Sequence, residues 1–243
     1  MMADNKNLQK EADFHNKRVL EEIETGGRLS YVYASMANAI SMPRNLLPID
    51  AKKILEIGSY LGDNSIGIDS DSEYIGIDIS NEAVRWANNK YASDNVNFIC
   101  MDAHKVESIG NDFDYVYGNG ILHHLDLDVF IPTLLNILNN QGKAVFMEPN
   151  LGPPWLRAFR ALTPSIRTED EHPLTKHDYD KFRKYFNLEI YNFGILCPLL
   201  PMLLLNNKFI INICQKADNF LAKTFLSHWS WTSVLVLSCK NKT

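Results

Sequence analysis

With 243 residues, 46% of them hydrophobic, the chain is long enough to bury one substantial core, and α/β domains of this length are often single. A net charge of −5 argues against nucleic acid as the main partner, because phosphate binding needs a basic face. Cys100, Cys197, Cys214 and Cys239 have no paired metal spacing and read as reduced thiols; with a polar start lacking an apolar signal segment, they point to the cytoplasm. Residues 8–24 read as a polar helix with a thin apolar stripe of Phe14, Val19, Leu20 and Ile23. An aromatic stretch follows at 28–42, and Pro43 and Pro48 mark the entry to the first strand, so residues 1–48 form an N-terminal helical cap.

Apolar strands are then read at 52–57, 74–78, 96–101, 114–118 and 143–148, with helical segments near 63–70, 80–92, 104–109 and 126–140. Ser80 is an N-cap with Glu82 in its first turn, and Gly142 reads as following the last turn of the 126–140 helix. Such alternation predicts a doubly wound, mostly parallel sheet with helices on both faces. Beyond residue 150, Thr175 and Asp178 form a capping box opening a helix to about 186, and strands at 188–196 and 232–238 bring the count to seven. The connections at 150–174 and 197–229 are long for a single domain, and acceptor recognition is placed there. The apolar cluster at 195–205 is too short to span a bilayer and holds two prolines. The aromatic content of 195–231, including Phe209, Phe220, Phe225, Trp229 and Trp231, suits a pocket roof, a lid core or a peripheral membrane-surface helix.

The richest local signal is the run Ile54-Leu55-Glu56-Ile57-Gly58-Ser59-Tyr60-Leu61-Gly62-Asp63, a buried strand ending in an acid and feeding a glycine-cornered turn. Asp78 ends the next strand 20 residues after Gly58, where an acid that grips ribose hydroxyls is expected. A dinucleotide loop needs a glycine where Tyr60 stands, so that backbone can approach a pyrophosphate. Asp63, read as opening the following helix, adds negative charge where phosphate would sit. Both features disfavour NAD and FAD. S-adenosylmethionine has ribose and adenine without phosphate, and its cationic sulfonium tolerates Glu56.

These residues resemble the class I S-adenosylmethionine-dependent methyltransferases, in particular small-molecule enzymes related to the ubiquinone/menaquinone methyltransferases. The resemblance covers roughly residues 50–150 and is carried by five stretches in family order: Leu55 to Gly62, Gly76 to Ser80, Phe98 to Ala103, Phe113 to Leu125 and Gly142 to Pro149. It implies S-adenosylmethionine as cofactor and a last strand running antiparallel. It also implies a cofactor site at Glu56, Gly58, Ser59, Tyr60, Gly62, Asp78, Ile79, Asp102, Ala103, Asn119 and His124. Asp102 and Ala103 would border the adenine, although Asp102 reads equally as a helix N-cap. Asn119 would hold the methionine amino group. Tyr60 departs from the family's glycine and is placed over the methionine moiety.

The acceptor side is less determined. His123 and His124 follow the fourth strand, where one imidazole can pack and the other, preferably His124, can serve as a base. Glu169, Asp170, Glu171 and His172 form the densest polar cluster, and a Glu171–His172 pair is a second candidate base. Four consecutive residues make a poor metal cage, and no metal is expected. The expectation is methylation of a small molecule, favouring a hydroxyl of a partly apolar acceptor. C-methylation of a quinone or lipid-like acceptor, a non-catalytic cofactor-binding relative and an NAD-dependent oxidoreductase are the alternatives. Gly118-Asn119-Gly120-Ile121 replaces the Asp/Asn-Pro-Pro-aromatic stretch of adenine- and amide-nitrogen methyltransferases, which argues against those substrates. The oligomeric state is not legible.

Overall fold

Short apolar runs buried on both faces make the central strands, which is why they read as continuous hydrophobic stretches rather than alternating ones. A computed structural model describes residues 2–25, 36–153, 173–197, 200 and 207–240. The strands are β1 (Lys53–Ile57), β2 (Glu73–Asp78), β3 (Val96–Cys100), β4 (Phe113–Asn119), β5 (Leu138–Pro149), β6 (Phe186–Phe193) and β7 (Thr232–Cys239). They form one seven-stranded sheet in the order β3-β2-β1-β4-β5-β7-β6. Strands β1 to β5 pair in parallel, and β7 runs antiparallel to both β5 and β6, as expected from the sequence.

Helices α1 (Met2–Thr25), α2 (Ala37–Asn45), α3 (Asn81–Tyr91), α4 (Leu127–Ile137), α5 (Lys176–Tyr185) and α6 (Lys208–Leu221) complete the described elements. One face of the sheet presents Leu55, Ile57, Ile75 and Val116 to Phe130, Ile131 and Leu134 of α4 and Phe182 of α5. The other presents Ile54, Tyr74, Tyr115 and Tyr117 to Ala39 of α2 and Val84 and Ala87 of α3. The strand order reverses between β1 and β4, and the crevice beyond their carboxyl ends is where such sheets hold ligands.

Three local expectations need correction. The segment after β1 is not a helix over 63–70 but a single turn, Asp63–Ser65. Gly67 adopts φ +74°, and the Asp69 carboxylate and carbonyl take the Asp71 and Ser72 N–H groups, so local bonds replace a helical ladder. The 126–140 helix ends at Ile137, and Gly142 lies inside β5 rather than at a helix cap. A Cβ on Gly142 would come within 2.7 Å of the Phe113 carbonyl oxygen, so only glycine fits beside β4. Pro43 does not mark the entry to the first strand but lies inside α2, which runs on to Asn45, and its carbonyl accepts from the Tyr115 hydroxyl at 2.5 Å.

Candidate active site

The turn after β1 is pinned to β2, since Gly58 N and Ser59 N both donate to the Ile77 carbonyl, at 2.8 and 2.9 Å. Gly58 and Gly62 take positive φ, and a Cβ on Gly62 would strike Ala87 and Phe98 at 2.8 Å. Tyr60 also takes a positive φ, +48°, an arrangement that disfavours an L-residue by about 1–2 kcal/mol. Two hydrogen bonds hold it there: its N–H donates to Asp78 Oδ2 at 2.9 Å and its hydroxyl to Glu22 Oε2 of α1 at 2.6 Å. The position where the sequence resemblance leads one to expect glycine therefore has a left-handed backbone while carrying a tyrosine that reaches the N-terminal helix.

Asp78 is the hub of this rim. Its Oδ1 accepts from Ser80 N at 2.8 Å, and Ser80 Oγ caps α3 through Ala83 N while bonding Asn16 Oδ1 of α1 at 2.7 Å. Burial pushes the Asp78 carboxyl above its ordinary range, against the hydrogen bonds from Ser80 and Tyr60. Ile79 sits beside it, its carbonyl accepting weakly from the Cys100 thiol at 3.6 Å. Asp102 takes the N-cap arrangement: Oδ1 accepts from His104 N at 3.0 Å and lies 2.7 Å from His104 Nδ1. That ring's Nε2 accepts from Asp126 N at 2.9 Å, so Nδ1 carries the proton toward Asp102, whose carboxyl is lowered. Ala103 begins the turn that Asp102 caps and is buried against the core.

Glu56 lies beneath the turn, fully buried. Tyr74 donates its hydroxyl to Oε2, and Asn64 Nδ2 donates to Oε1 at 2.6 Å. Burial raises its carboxyl to about 7, with the Tyr74 and Asn64 bonds opposing the shift. Through Asn64 it sets the backbone just past Gly62. Asp63, in contrast, is exposed and turned toward α3, where it accepts from Tyr91 and lies 3.9 Å from Lys90.

Across the crevice, Asn119 ends β4, and its Oδ1 is buried without a hydrogen-bond partner, as is Ser59 Oγ in the turn after β1. Buried polar atoms left open at the mouth of a sheet mark a place shaped for a polar guest. Glu148 of β5, wholly buried, organises the loop beyond Asn119. One of its oxygens accepts from Ile121 N (2.9 Å) and Leu122 N (2.7 Å), and the other lies 2.7 Å from His123 Nδ1. His123 is thereby the packed member of the histidine pair.

His124 is turned the other way, toward α1. Its Nδ1 lies 2.7 Å from Glu11 Oε1, and His15, one helical turn from Glu11, places Nε2 4.0 Å from the same carboxylate. Burial disfavours the Glu11 charge, but the His124 hydrogen bond and nearby imidazoles carry its pKa below the ordinary value. Burial, then the His124 charge, hold His15 neutral, near 4. In the neutral form of His124, with Nδ1–H donated to Glu11, Nε2 is the proton-accepting nitrogen. Sequence reading missed Glu11 and His15; the signal was an acid and a histidine four apart on the otherwise polar helix. His172 and Glu171, together with Arg157, Arg160 and Arg167, lie outside the described residues.

A family model described as a methyltransferase domain matches residues 54–142, the stretch from β1 into β5. No curated protein matches the chain in sequence. Among solved structures, phosphoethanolamine N-methyltransferase 2 of Haemonchus contortus, with phosphomonomethylethanolamine and S-adenosylhomocysteine, aligns at 17% identity and TM-score 0.57 over 84% of this chain. The chain spans about half, 52%, of that enzyme's length. Magnesium protoporphyrin IX methyltransferase of Synechocystis, also holding S-adenosylhomocysteine, aligns at 12% identity and TM-score 0.63, covering 96% of this chain and 99% of the other. An S-adenosylmethionine-dependent methyltransferase of Archaeoglobus fulgidus gives 15% identity, TM-score 0.56 and coverage of 90% and 97%. Residues 54–142 thus match a methyltransferase domain, and the chain that carries them has the Rossmann-like fold of the class I methyltransferases.

Proposed function

We propose that the protein transfers a methyl group from S-adenosylmethionine to a hydroxyl of a small, partly apolar molecule. The observation that carries the cofactor reading is the pair of buried polar atoms without hydrogen-bond partners, Ser59 Oγ in the turn after β1 and Asn119 Oδ1 at the end of β4, together with Asp78 at the end of β2 in the same carboxyl-end rim of the sheet. A carboxylate offers about four acceptor sites, and Tyr60 N and Ser80 N use two, so Asp78 retains capacity for a ribose diol. Asn119 Oδ1 suits the ammonium of the methionine end, and Ser59 Oγ can donate or accept beside it. Asp102 and Ala103 border the adenine in this reading. S-adenosylmethionine, when bound, supplies an electrophilic methyl group on a cationic sulfonium.

The choice of a hydroxyl rests on the Glu11–His124 pair. A neutral amine is nucleophilic as it stands, whereas a neutral hydroxyl is a weak nucleophile unless its proton is removed as the oxygen attacks, and His124, its Nδ1 bonded to Glu11, receives that proton on Nε2 in this reading. Glu11 orients the ring and stabilises the imidazolium that forms. His172 with Glu171 is the second candidate base. Holding acceptor and donor together in a water-poor site contributes several kcal/mol besides. His124→Gln lowers kcat by about 100-fold or more, a larger loss than its effect on the Kd of S-adenosylmethionine measured by calorimetry. Glu11→Gln gives a smaller loss of the same kind. Unchanged turnover in His124→Gln would remove it as the proton acceptor.

A further inference from the structure

Among the described residues, Asp218 ties helix α6 to the segment after β6. Asp218, buried, accepts from Leu196 N at 2.6 Å and Cys197 N at 3.0 Å, which fixes the side of the helix that faces inward. At about 100° per residue, Phe209, Ile213, Lys216 and Phe220 all lie within roughly 40° of the opposite direction. They are indeed outside: Phe209 is 72% exposed and Phe220 71%, and Ile213 and Lys216 are exposed as well. The row continues past the helix end into exposed Lys223, Phe225 (81%) and Trp229. Asp218 is the sole acid between 207 and 231, and it points inward, so the formal charges this segment carries outward, Lys216 and Lys223, are positive. That is notable on a chain of net charge −5.

From this we infer that the outer face of α6 and the turn after it dock on an anionic phospholipid surface. The aromatic and aliphatic side chains enter the interfacial layer, while Lys216 and Lys223 extend their stems alongside them and place ammonium groups at the phosphates. The contact is peripheral, since no helix among the described residues is long and apolar enough to cross a membrane. It does not depend on the methyl-transfer reading.

Flotation of the full chain with vesicles of phosphatidylcholine, alone or mixed with phosphatidylglycerol, tests it. The protein should float with the mixed vesicles, far less with phosphatidylcholine alone, and added salt should weaken the contact. Lys216→Gln with Lys223→Gln should lower partitioning about thirtyfold. Phe209→Ser with Phe220→Ser should abolish it, with thermal unfolding and cofactor binding of both double variants matching wild type. Absence of flotation on mixed vesicles, or equal flotation of the variants, overturns the inference. So does a concentration-dependent dimer that Phe209→Ser with Phe220→Ser dissolves, because the face then belongs to a second copy.

Discussion

Replacing Asp78 by Ala probes the cofactor rim most sharply, because one side chain holds the turn after β1 and offers the ribose acceptor sites. A hydrogen bond to a charged group contributes about 1.5–3 kcal/mol, so losing two ribose contacts costs about 3 kcal/mol at the lower bound, roughly 150-fold in Kd. The substitution also frees Tyr60 N, whose 2.9 Å bond to Asp78 helps hold φ at +48°, and the turn then has to be ordered at the expense of binding. Asp78→Asn keeps one carbonyl acceptor and loses either the Tyr60 or the Ser80 bond, so its affinity should fall between wild type and Asp78→Ala. Titration calorimetry with S-adenosylmethionine and S-adenosylhomocysteine measures both. Burial raises the Asp78 carboxyl, so in the wild type affinity should begin to fall at a higher pH than for an ordinary aspartate as the solution is acidified. A Kd for Asp78→Ala within threefold of wild type, with an unchanged melting curve, would refute the ribose assignment.

Three further outcomes are expected. Glu56, at about 7 when folded and near 4.5 when unfolded, binds its proton more tightly in the native state. Its contribution to stability is full below about pH 4.5 and lost as pH rises through 7, amounting to about 3 kcal/mol; urea unfolding across that window should show the slope, and Glu56→Gln should flatten it. Tyr60→Phe keeps the turn and deletes the bond to Glu22, so hydrogen exchange in α1 should accelerate while the core melts as before; Tyr60→Gly relieves about 1 kcal/mol of backbone strain at the same cost to α1. Unchanged exchange in α1 for both would show that the Tyr60–Glu22 contact does not tether the helix. Glu11, His15 and His124 bring ligand-type atoms within 4.8 Å of one another, yet Glu11 and His124 sit at hydrogen-bond distance. Turnover should survive exhaustive chelation; loss on chelation and recovery with Zn²⁺ would assign the cluster to a metal instead.

The parallel core was legible because its strands are continuous apolar runs closed by an acid or an amide, Glu56, Asp78 and Asn119 among them, and because helical segments alternate with them. The segment after Gly62 reads as a helix because an acid, Asp63, follows a glycine turn, whereas Gly67 at φ +74° and local bonds such as Asp71 N–H to the Asp69 carboxylate satisfy the backbone without a helical ladder. With only a turn there, Asp63 guards no helix N-terminus, and the case against pyrophosphate rests on Tyr60 and the carboxylates of the rim. The acceptor side was harder because it is assembled in space. Glu11 and His124 are 113 residues apart, and nothing in the local pattern of either announces the other. Glu148 was read as the end of a strand, but its role in the structure is to hold Ile121 N, Leu122 N and the His123 ring, leaving His124 to turn toward α1. Tyr60 shows the converse: its position was evident from the glycine spacing, its left-handed backbone and reach to Glu22 were not.

Hydroxyl methylation is tested most directly by incubating the protein with S-adenosylmethionine labelled on its methyl group and fractionated small-molecule extract, followed by mass spectrometric location of the label. A labelled methyl ether on a partly apolar product is expected, formed by wild type and lost in His124→Gln and Asp78→Ala. Label on nitrogen or carbon, or tight cofactor binding with no transfer to any fraction, would contradict it.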